Sequence, residues 1–227
     1  MTLLQLVQKL AEKCGVAEPS TVIGLTGESA RLLGYIVAAD KDIQGEHQEW
    51  RFLRRTAQWT TVDGQATYTT LECGITADTF GKWITDSFRV WHTATGQNSE
   101  QFLTHWEYED WRNLFQLGAN RTAKSQPTIL TVTPEDGIGL GPVPLVGYTI
   151  LGDYYRSASV LDTTSNSSVS VIPAKFDHMM IVYRAMMKYA LYESAPEVFK
   201  EGNDEYGKLF GVMENDQLPR ITLRKGF

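Results

Sequence analysis

The sequence predicts an α+β protein in which helices from both ends of the chain form one bundle and a β module is inserted between them in the sequence. Apolar residues recur at helical spacing near the N-terminus and again from residue 176 onward. Between about residues 51 and 172, short β-prone runs separated by turn residues replace that spacing. We therefore expect a helical bundle from 1–50 plus 173–218, an antiparallel β-sandwich or barrel-like module from 51–172, and a C-terminal arm from 219–227.

Composition and charge narrow the class of protein. The 227 residues are 42% hydrophobic and 21% charged, as in ordinary globular proteins that bury a core. The net charge of −6 argues against a dedicated nucleic-acid binder, which needs Lys and Arg to displace phosphate counterions. Cys14 and Cys73 have neither ligand spacing nor a disulfide framework, so we expect unpaired thiols in a reducing compartment.

The first section of the chain is predicted to be helical. "MTLLQLVQKLAEKCG" carries its apolar residues on one stripe, with Thr2 as N-cap and Gly15 just past the C-terminus. Polar residues interrupt the run at helical spacing, so it is an amphipathic helix and not a signal peptide. A second helical pattern runs from about Glu28 to Trp50.

The middle section shows strand and turn signals. Two β-prone runs around Asp63-Gly64 predict a hairpin in which Trp59 lies opposite Tyr68. "DSFRVWHTATG" and "SEQFLTHW" predict a second pair, and "YEDWRNLFQLG" a short helix. "GIGLGP" at 137–142 has strands on both sides and no following helix, which favours a tight β turn over a phosphate-binding loop.

The third section begins with a helix, "FDHMMIVYRAMMKYALYE", that is apolar almost all the way round. Its polar stripe, Asp177, Arg184 and Lys188, is narrow, yet these charges and His178 argue against a membrane span. Such a helix is either central in its own domain or shared between subunits, and the residues leave both possibilities open. The residues predicted for this core or subunit interface are Met179, Met180, Tyr183, Met186 and Met187. A second helix is predicted to begin at Pro196.

The sequence contains no established catalytic pattern. The histidines are scattered, no nucleophile elbow or metal-ligand spacing occurs, and we expect no catalytic residue, cofactor or metal. Two alternatives stay open: a hydrolase using Glu107, Glu109 or Asp110, and a carbohydrate-binding module that stacks sugars on the Trp-rich β section. Packing of the tryptophans within a core is the favoured interpretation of that section.

The C-terminal arm is basic in an acidic protein. Alternating apolar and basic residues favour a docking segment for an acidic partner groove over a disordered tail. The residues predicted to dock are Leu218, Arg220, Ile221, Leu223, Arg224, Lys225 and Phe227.

The order of these segments resembles the head-to-tail adaptor (connector) proteins of tailed bacteriophages, especially short-tailed ones. The resemblance rests on "EWRFLRR", "TVDGQATYT", "DSFRVW", "SQPTILTVTP…LGPVP…YTILGDYYR" and "FDHMMIVYRAMMKYALYESAPEVF", and it extends from the first helix to about Pro219. No single motif is diagnostic. With this resemblance, the glycan-binding alternative becomes a tail or baseplate module that contacts a host glycan through the Trp-rich β section.

The resemblance implies a structural protein of the virion neck, assembled in the host cytoplasm. It implies a ring of about twelve copies that extends the DNA channel beneath the portal and presents a platform for tail nozzle or tail-fibre proteins. It also implies that the arm binds the portal and that the apolar helix packs beside its neighbours around the ring. Genomic DNA would pass without specific binding, so we expect acidic residues such as Asp40, Asp42, Glu46, Glu201 or Asp204 to line the lumen.

Overall fold

The computed structural model describes residues 1–145 and 147–218, apart from the side chain of Ala77. The helices in this part of the chain are α1 (Leu3–Cys14), α2 (Gly27–Gly45), α3 (Tyr108–Phe115), α4 (Met179–Glu193) and α5 (Pro196–Gln217). The strands are β1 (Arg54–Thr60), β2 (Thr67–Tyr68), β3 (Phe80–His92), β4 (Gln101–Phe102), β5 (Thr104–His105), β6 (Lys124–Ser125), β7 (Ile129–Val132), β8 (Ile138–Gly141), β9 (Val143–Pro144) and β10 (Tyr148–Arg156). This composition confirms the α+β class.

The chain divides into two compact units. The helical unit comprises Met1–Leu53 and the chain from Ala158 onward, and the β unit comprises Arg54–Ser157. Helices from both ends of the chain thus share one unit, and the strands form the other.

The first helix forms where its capping residues predict it. The Thr2 hydroxyl accepts a hydrogen bond from the Gln5 backbone N–H, and the Gln5 side chain accepts one from the Thr2 backbone. This reciprocal capping box satisfies two amides that the first turn leaves without partners. Gly15 closes the helix in the left-handed conformation at φ 67°. The second helix ends at Gly45, short of the predicted Trp50, whose buried indole donates to the Ile43 carbonyl.

Helix α4 occupies the centre of the helical unit. It contacts α1, α2 and α5, and most of its apolar side chains are buried against them. Pro196 opens α5 after only two intervening residues, as the sequence predicts. At Gly202 the two helices approach so closely that an added Cβ would lie 3.1 Å from the Tyr183 carbonyl oxygen.

Residues 158–172, here called the strap, lie across the helices. The sequence places this segment in the β module, but its hydrogen bonds place it in the helical unit. The Leu3 amide donates to the Ser168 carbonyl at 2.7 Å, and Val169 forms an antiparallel bridge with Thr2. Leu161 and Ile172 are buried. In this division the β unit ends at Ser157, whereas the sequence pattern places the end of the β module at 172.

The β unit is built from two four-stranded sheets with the orders β1-β10-β3-β4 and β2-β8-β7-β5. Trp59, Phe88, Val90 and Ile150 of the first sheet share one core with side chains of the second. That core also includes Tyr68, Leu130, Ile138 and Leu140. Most pairing is antiparallel, whereas β5–β7 and the separate pair β6–β9 are parallel. The arrangement is a small sandwich.

Strand pairing follows the sequence signals only in part. The predicted pairing of β3 with β4 is confirmed at Arg89↔Phe102 and Val90↔Gln101. The predicted hairpin around Asp63-Gly64 is wrong, because β1 pairs with β10 and β2 with β8. The Trp59 and Tyr68 rings nevertheless lie 6.3 Å apart, because the strands that carry them belong to facing sheets.

The glycines of 137–142 make room for a helix. Ile138–Gly141 is a buried strand, so the predicted tight turn is wrong. A Cβ on Gly139 would lie 2.9 Å from the Trp111 ring, and one on Gly141 would lie 2.6 Å from the Phe115 ring. Alternate residues of a strand share a face. Because Gly139 and Gly141 have no side chains, their face of β8 leaves room for the aromatic side chains of α3.

Gly139→Ala should therefore destabilise the β unit. The added methyl collides with Trp111 and with Thr131 Cγ2, 2.7 Å away, and overpacking of this kind costs about 1–3 kcal/mol. Denaturant unfolding followed by tryptophan fluorescence measures the loss. Gly147→Ala is the matched control, since the nearest atom to its new Cβ is Thr60 Cγ2 at 3.5 Å. Equal stability of the two variants would contradict this packing.

Candidate assembly surfaces

The five residues predicted on α4 divide into buried and half-buried positions. Met180, Met186 and Met187 have exposed fractions of 0%, 1% and 9%, which makes them core residues of the helical unit. Met179 and Tyr183 are half-buried, and Lys13 lies over the Tyr183 ring at 5.8 Å. Packing within one copy thus accounts for the three buried methionines, and Met179 and Tyr183 keep partial access to solvent.

The polar stripe of α4 binds α2 through ion pairs. Lys188 Nζ lies 2.7 Å from an Asp42 carboxylate oxygen, and Arg184 Nη2 lies 3.1 Å from Glu46 Oε1. The Arg184 guanidinium also lies over the Tyr206 ring at 5.3 Å. Two of the acids predicted for the lumen are therefore engaged within the helical unit. Arg184 follows Glu46 by 138 positions in the chain, and helical spacing does not reveal a pair so far apart.

Asp40, also predicted to line the lumen, is buried. Its side chain is 1% exposed and accepts hydrogen bonds from the Ser170 hydroxyl and from Gln44 Nε2 at 2.7 Å. Burial raises the pKa of Asp40 to about 6, although these two hydrogen bonds lower it. The lumen prediction for Asp40 is wrong, because the strap covers it.

The outer face of α5 is accessible and predominantly acidic, since the helix carries six Asp and Glu against two exposed lysines, Lys200 and Lys208. Glu197, Glu201 and Asp204 are exposed, and of these Glu201 pairs with Lys13 at 3.2 Å. Residues 1–53 and 158–218 of the helical unit have the same bias, with sixteen Asp and Glu against ten Lys and Arg, and residues 219–227 add Arg220, Arg224 and Lys225. The negative charge on the outer face of α5 disfavours binding of polyanions such as DNA.

Large apolar side chains are exposed at positions that the sequence does not identify as an interface. Leu191 is 70% and Tyr192 55% exposed at the C-terminal end of α4, with the Arg31 guanidinium 4.0 Å from the Tyr192 ring centre. In the β unit, Phe102 is 72% exposed on edge strand β4, and Leu71 is 71% exposed. Each unit thus presents apolar side chains that a protein contact would cover. Helical periodicity could not separate Leu191 from the core residues of the same helix.

The tryptophans mostly serve as core. Trp50, Trp59, Trp83, Trp91 and Trp111 are buried, and only Trp106 among the six is half-buried. A glycan platform needs two or three exposed aromatic rings on one face, and these side chains do not supply it.

The remaining candidates for chemistry do not form a site in the described residues. Glu107, Glu109 and Asp110 are exposed around the start of α3, where acids complement the helix dipole. No group of three or more His, Cys, Asp or Glu in the described chain is arranged to hold a metal. Cys14 and Cys73 are free, and burial raises the pKa of Cys73 to about 12. None of the helices in 1–145 and 147–218 is long and apolar enough to cross a membrane.

The predicted docking arm lies almost wholly outside the described residues. Leu218 follows α5 directly and is half-buried. The other six predicted residues, Arg220, Ile221, Leu223, Arg224, Lys225 and Phe227, fall in 219–227, beyond the part that the structure describes.

Comparison with known proteins finds a family that spans both units. A family model described as "SU10 adaptor protein" matches residues 1–222, and therefore covers the helical unit, the β unit and the start of the arm. No curated protein matches the chain.

Proposed function

Because the chain belongs to the SU10 adaptor protein family, a family of bacteriophage adaptors, we propose that it is the head-to-tail adaptor of a virion. In this proposal about twelve copies form a ring that joins the portal to the tail and extends the DNA channel. The protein resides in the neck of the particle and assembles in the host cytoplasm. It acts through contacts alone, without catalysis or a cofactor.

The observation that carries the proposal is the extent of the family match. It spans residues 1–222, so it includes the helical unit, the inserted β unit and the return to helix. A shared single unit would support a common fold only, whereas a match over both units supports a common architecture for assembly.

The distribution of charge supports the channel. A basic surface binds DNA tightly, because its Lys and Arg displace the counterions of the phosphates. DNA that must slide through a ring should therefore meet a surface that is not basic. On the outer face of α5, the exposed acids Glu197 and Asp204 meet that requirement best, and we place this face toward the lumen. Asp42 and Glu46, which are neutralised by Lys188 and Arg184, are less suited to this role.

The exposed apolar side chains support contacts between proteins. A ring needs two different complementary patches on each copy, because its interface is heterologous. The end of α4 at Leu191 and Tyr192 is one candidate patch, and Phe102 and Leu71 of the β unit are candidates for another or for the tail nozzle or tail fibres. The arm at 219–227 remains our candidate for the portal contact.

The glycan-binding alternative has less support. It depends on accessible tryptophans, and five of the six are buried in the described structure. The hydrolase alternative rests on exposed carboxylates, of which Glu109 pairs with Arg112 at 3.7 Å.

Mixing the purified protein with the portal of the same phage tests the proposal. We expect native mass spectrometry and negative-stain microscopy to show a closed ring of this chain on one end of the portal. A protein that lacks 218–227 should fold normally and fail to attach, which tests the arm separately. Failure of the full-length protein to bind any portal or tail component would contradict the proposal.

A further inference from the structure

The two ends of the strap are held by side chains of α2, whereas its middle is held by α1, whose Leu3 and Leu4 amides donate to the carbonyls of Ser168 and Asn166. Apart from the bridge at Val169, residues 158–172 belong to no helix or strand. Near its start, the Ser159 amide donates to Gln44 Oε1 at 2.8 Å, and Gln44 Nε2 donates to the Ser159 carbonyl at 3.2 Å. Near its end, the Ser170 hydroxyl donates to Asp40. One turn of α2 therefore fastens both ends of the segment.

The Asp40 carboxyl group, which binds the strap through Ser170, lies in an unusual environment for an acidic side chain. Its carboxyl group is buried, and both of its hydrogen-bond partners, Ser170 and Gln44, are neutral. No Lys, Arg, His or N-terminal nitrogen of the described chain lies within 4.0 Å of it. A buried carboxylate without a cation is costly, since two hydrogen bonds replace only part of its lost hydration.

The charged groups on the surrounding elements are engaged elsewhere or exposed. Asp42 of α2 and Glu46 at its C-cap pair with residues of α4, and Lys41 is exposed. Glu28 accepts a hydrogen bond from the Tyr189 hydroxyl, and Arg31 lies over the Tyr192 ring. His178, just before α4, contacts the Met1 ammonium through Nδ1 and the Ile172 carbonyl through Nε2. The other charged groups of α1 and the strap have partners of their own. Lys9 pairs with Glu12, Lys13 pairs with Glu201 of α5, and Asp162 accepts a hydrogen bond from the Thr164 hydroxyl.

We infer that Asp40 is a protonation-dependent latch for the strap: the neutral carboxyl group holds residues 158–172 against α2, and its ionisation loosens them. The strap connects β10 to α4. Asp40 binds it near its end through Ser170, and Gln44, which donates to Asp40, binds it near its start through Ser159. At neutral pH the strap therefore opens more readily than it does in acid, and it is available to rearrange when the protein assembles. This inference concerns the fold of a single copy and does not depend on the proposed ring.

The direction of the effect follows from burial. Burial raises the pKa of Asp40 to about 6 with the strap in place, whereas a carboxyl group exposed by opening has the ordinary value of about 4. The closed state therefore binds the proton more tightly, so the latch is strongest below about pH 4 and weakens as the pH rises through 6. A difference of about two pKa units limits the total effect to about a hundredfold change in the opening equilibrium.

Hydrogen exchange measured at pH 5 and pH 8 tests the latch in the full-length protein. After correction for intrinsic exchange rates, the opening equilibrium of the strap amides, including Ser159 and Ile172, should rise about tenfold between these pH values. Asp40→Asn keeps the size and an acceptor oxygen but cannot ionise, and should leave strap exchange constant with pH. Asp204→Asn, which removes an exposed carboxylate of α5, should keep the wild-type pH dependence.

Two results would overturn the inference. One is strap exchange in the wild-type protein that is constant between pH 5 and pH 8; the other is an unchanged pH dependence in Asp40→Asn. Should that variant fail to fold, carboxyl-carbon NMR of the wild-type protein decides instead. A titration midpoint near 6 for Asp40 supports the latch, and a midpoint at or below 4 contradicts it.

Discussion

Met186→Glu should prevent the helical unit from folding. Met186 is 1% exposed at the centre of α4, and none of the buried side chains of that helix offers a cation. Burying an unpaired carboxylate costs about 3–5 kcal/mol, a large part of the 5–15 kcal/mol by which a domain is usually stable. Far-UV circular dichroism during thermal unfolding should show a strongly lowered midpoint or no cooperative transition. The proposed ring should then fail to assemble.

Met179→Glu is the matched control for this prediction. Met179 lies on the same helix but is half-buried, so a carboxylate there can keep part of its hydration. We expect a loss below about 1 kcal/mol, as is usual for substitutions away from the core. A similar loss at both positions would contradict the central place of α4.

Gly202→Leu should separate α4 from α5. A Cβ at this position already lies 3.1 Å from the Tyr183 carbonyl oxygen and 3.1 Å from Met187 Cγ. The remaining atoms of leucine have no space against the α4 backbone, and we expect a loss of about 3 kcal/mol in the free energy of unfolding. Urea unfolding followed by circular dichroism measures it.

Gly207→Leu provides the opposite expectation on the same helix. Gly207 is exposed, and a Cβ added there would have no neighbouring atom within 4 Å. Because leucine is a better helix former than glycine, this change should stabilise α5 by up to about 1 kcal/mol. Two variants that shift stability in the same direction would show that Gly202 does not set the distance between the helices.

Local signals predict the helices well because their causes are local. Thr2, Gln5 and Gly15 cap α1 through residues at most a few positions away, and Pro196 opens α5 for the same reason. The apolar pattern of α4 also predicts its burial. That pattern does not show which residues of the helix remain exposed, so it does not identify Leu191 as a surface residue.

Strand pairing is harder to predict because partners are chosen across the whole chain. Asp63-Gly64 has the composition of a hairpin turn, yet β1 pairs with β10, where Thr56 and Asp153 are partners 97 positions apart. The glycines of β8 resemble a turn by composition alone, and their role becomes clear only once Trp111 and Phe115 of α3 are placed above them. Long-range packing here outweighs local propensity.

The burial of Asp40 and the ion pairs between α4 and the C-terminal end of α2 could not be predicted from the sequence for a similar reason. A charged residue on a helix is usually solvated, so the sequence favours a surface position for Asp40. Its burial depends on Ser170 of the strap, which follows 130 positions later and whose polar surroundings suggest a loop of the β module. Composition describes a segment, but only its hydrogen bonds show which unit it joins.

Electron cryo-microscopy of the neck of the mature virion tests the central claim most directly. We predict a closed ring of this chain between the portal and the tail, with the outer face of α5 bordering the DNA channel. A neck that is complete without this chain, or that contains it only away from the channel axis, would contradict the proposed function.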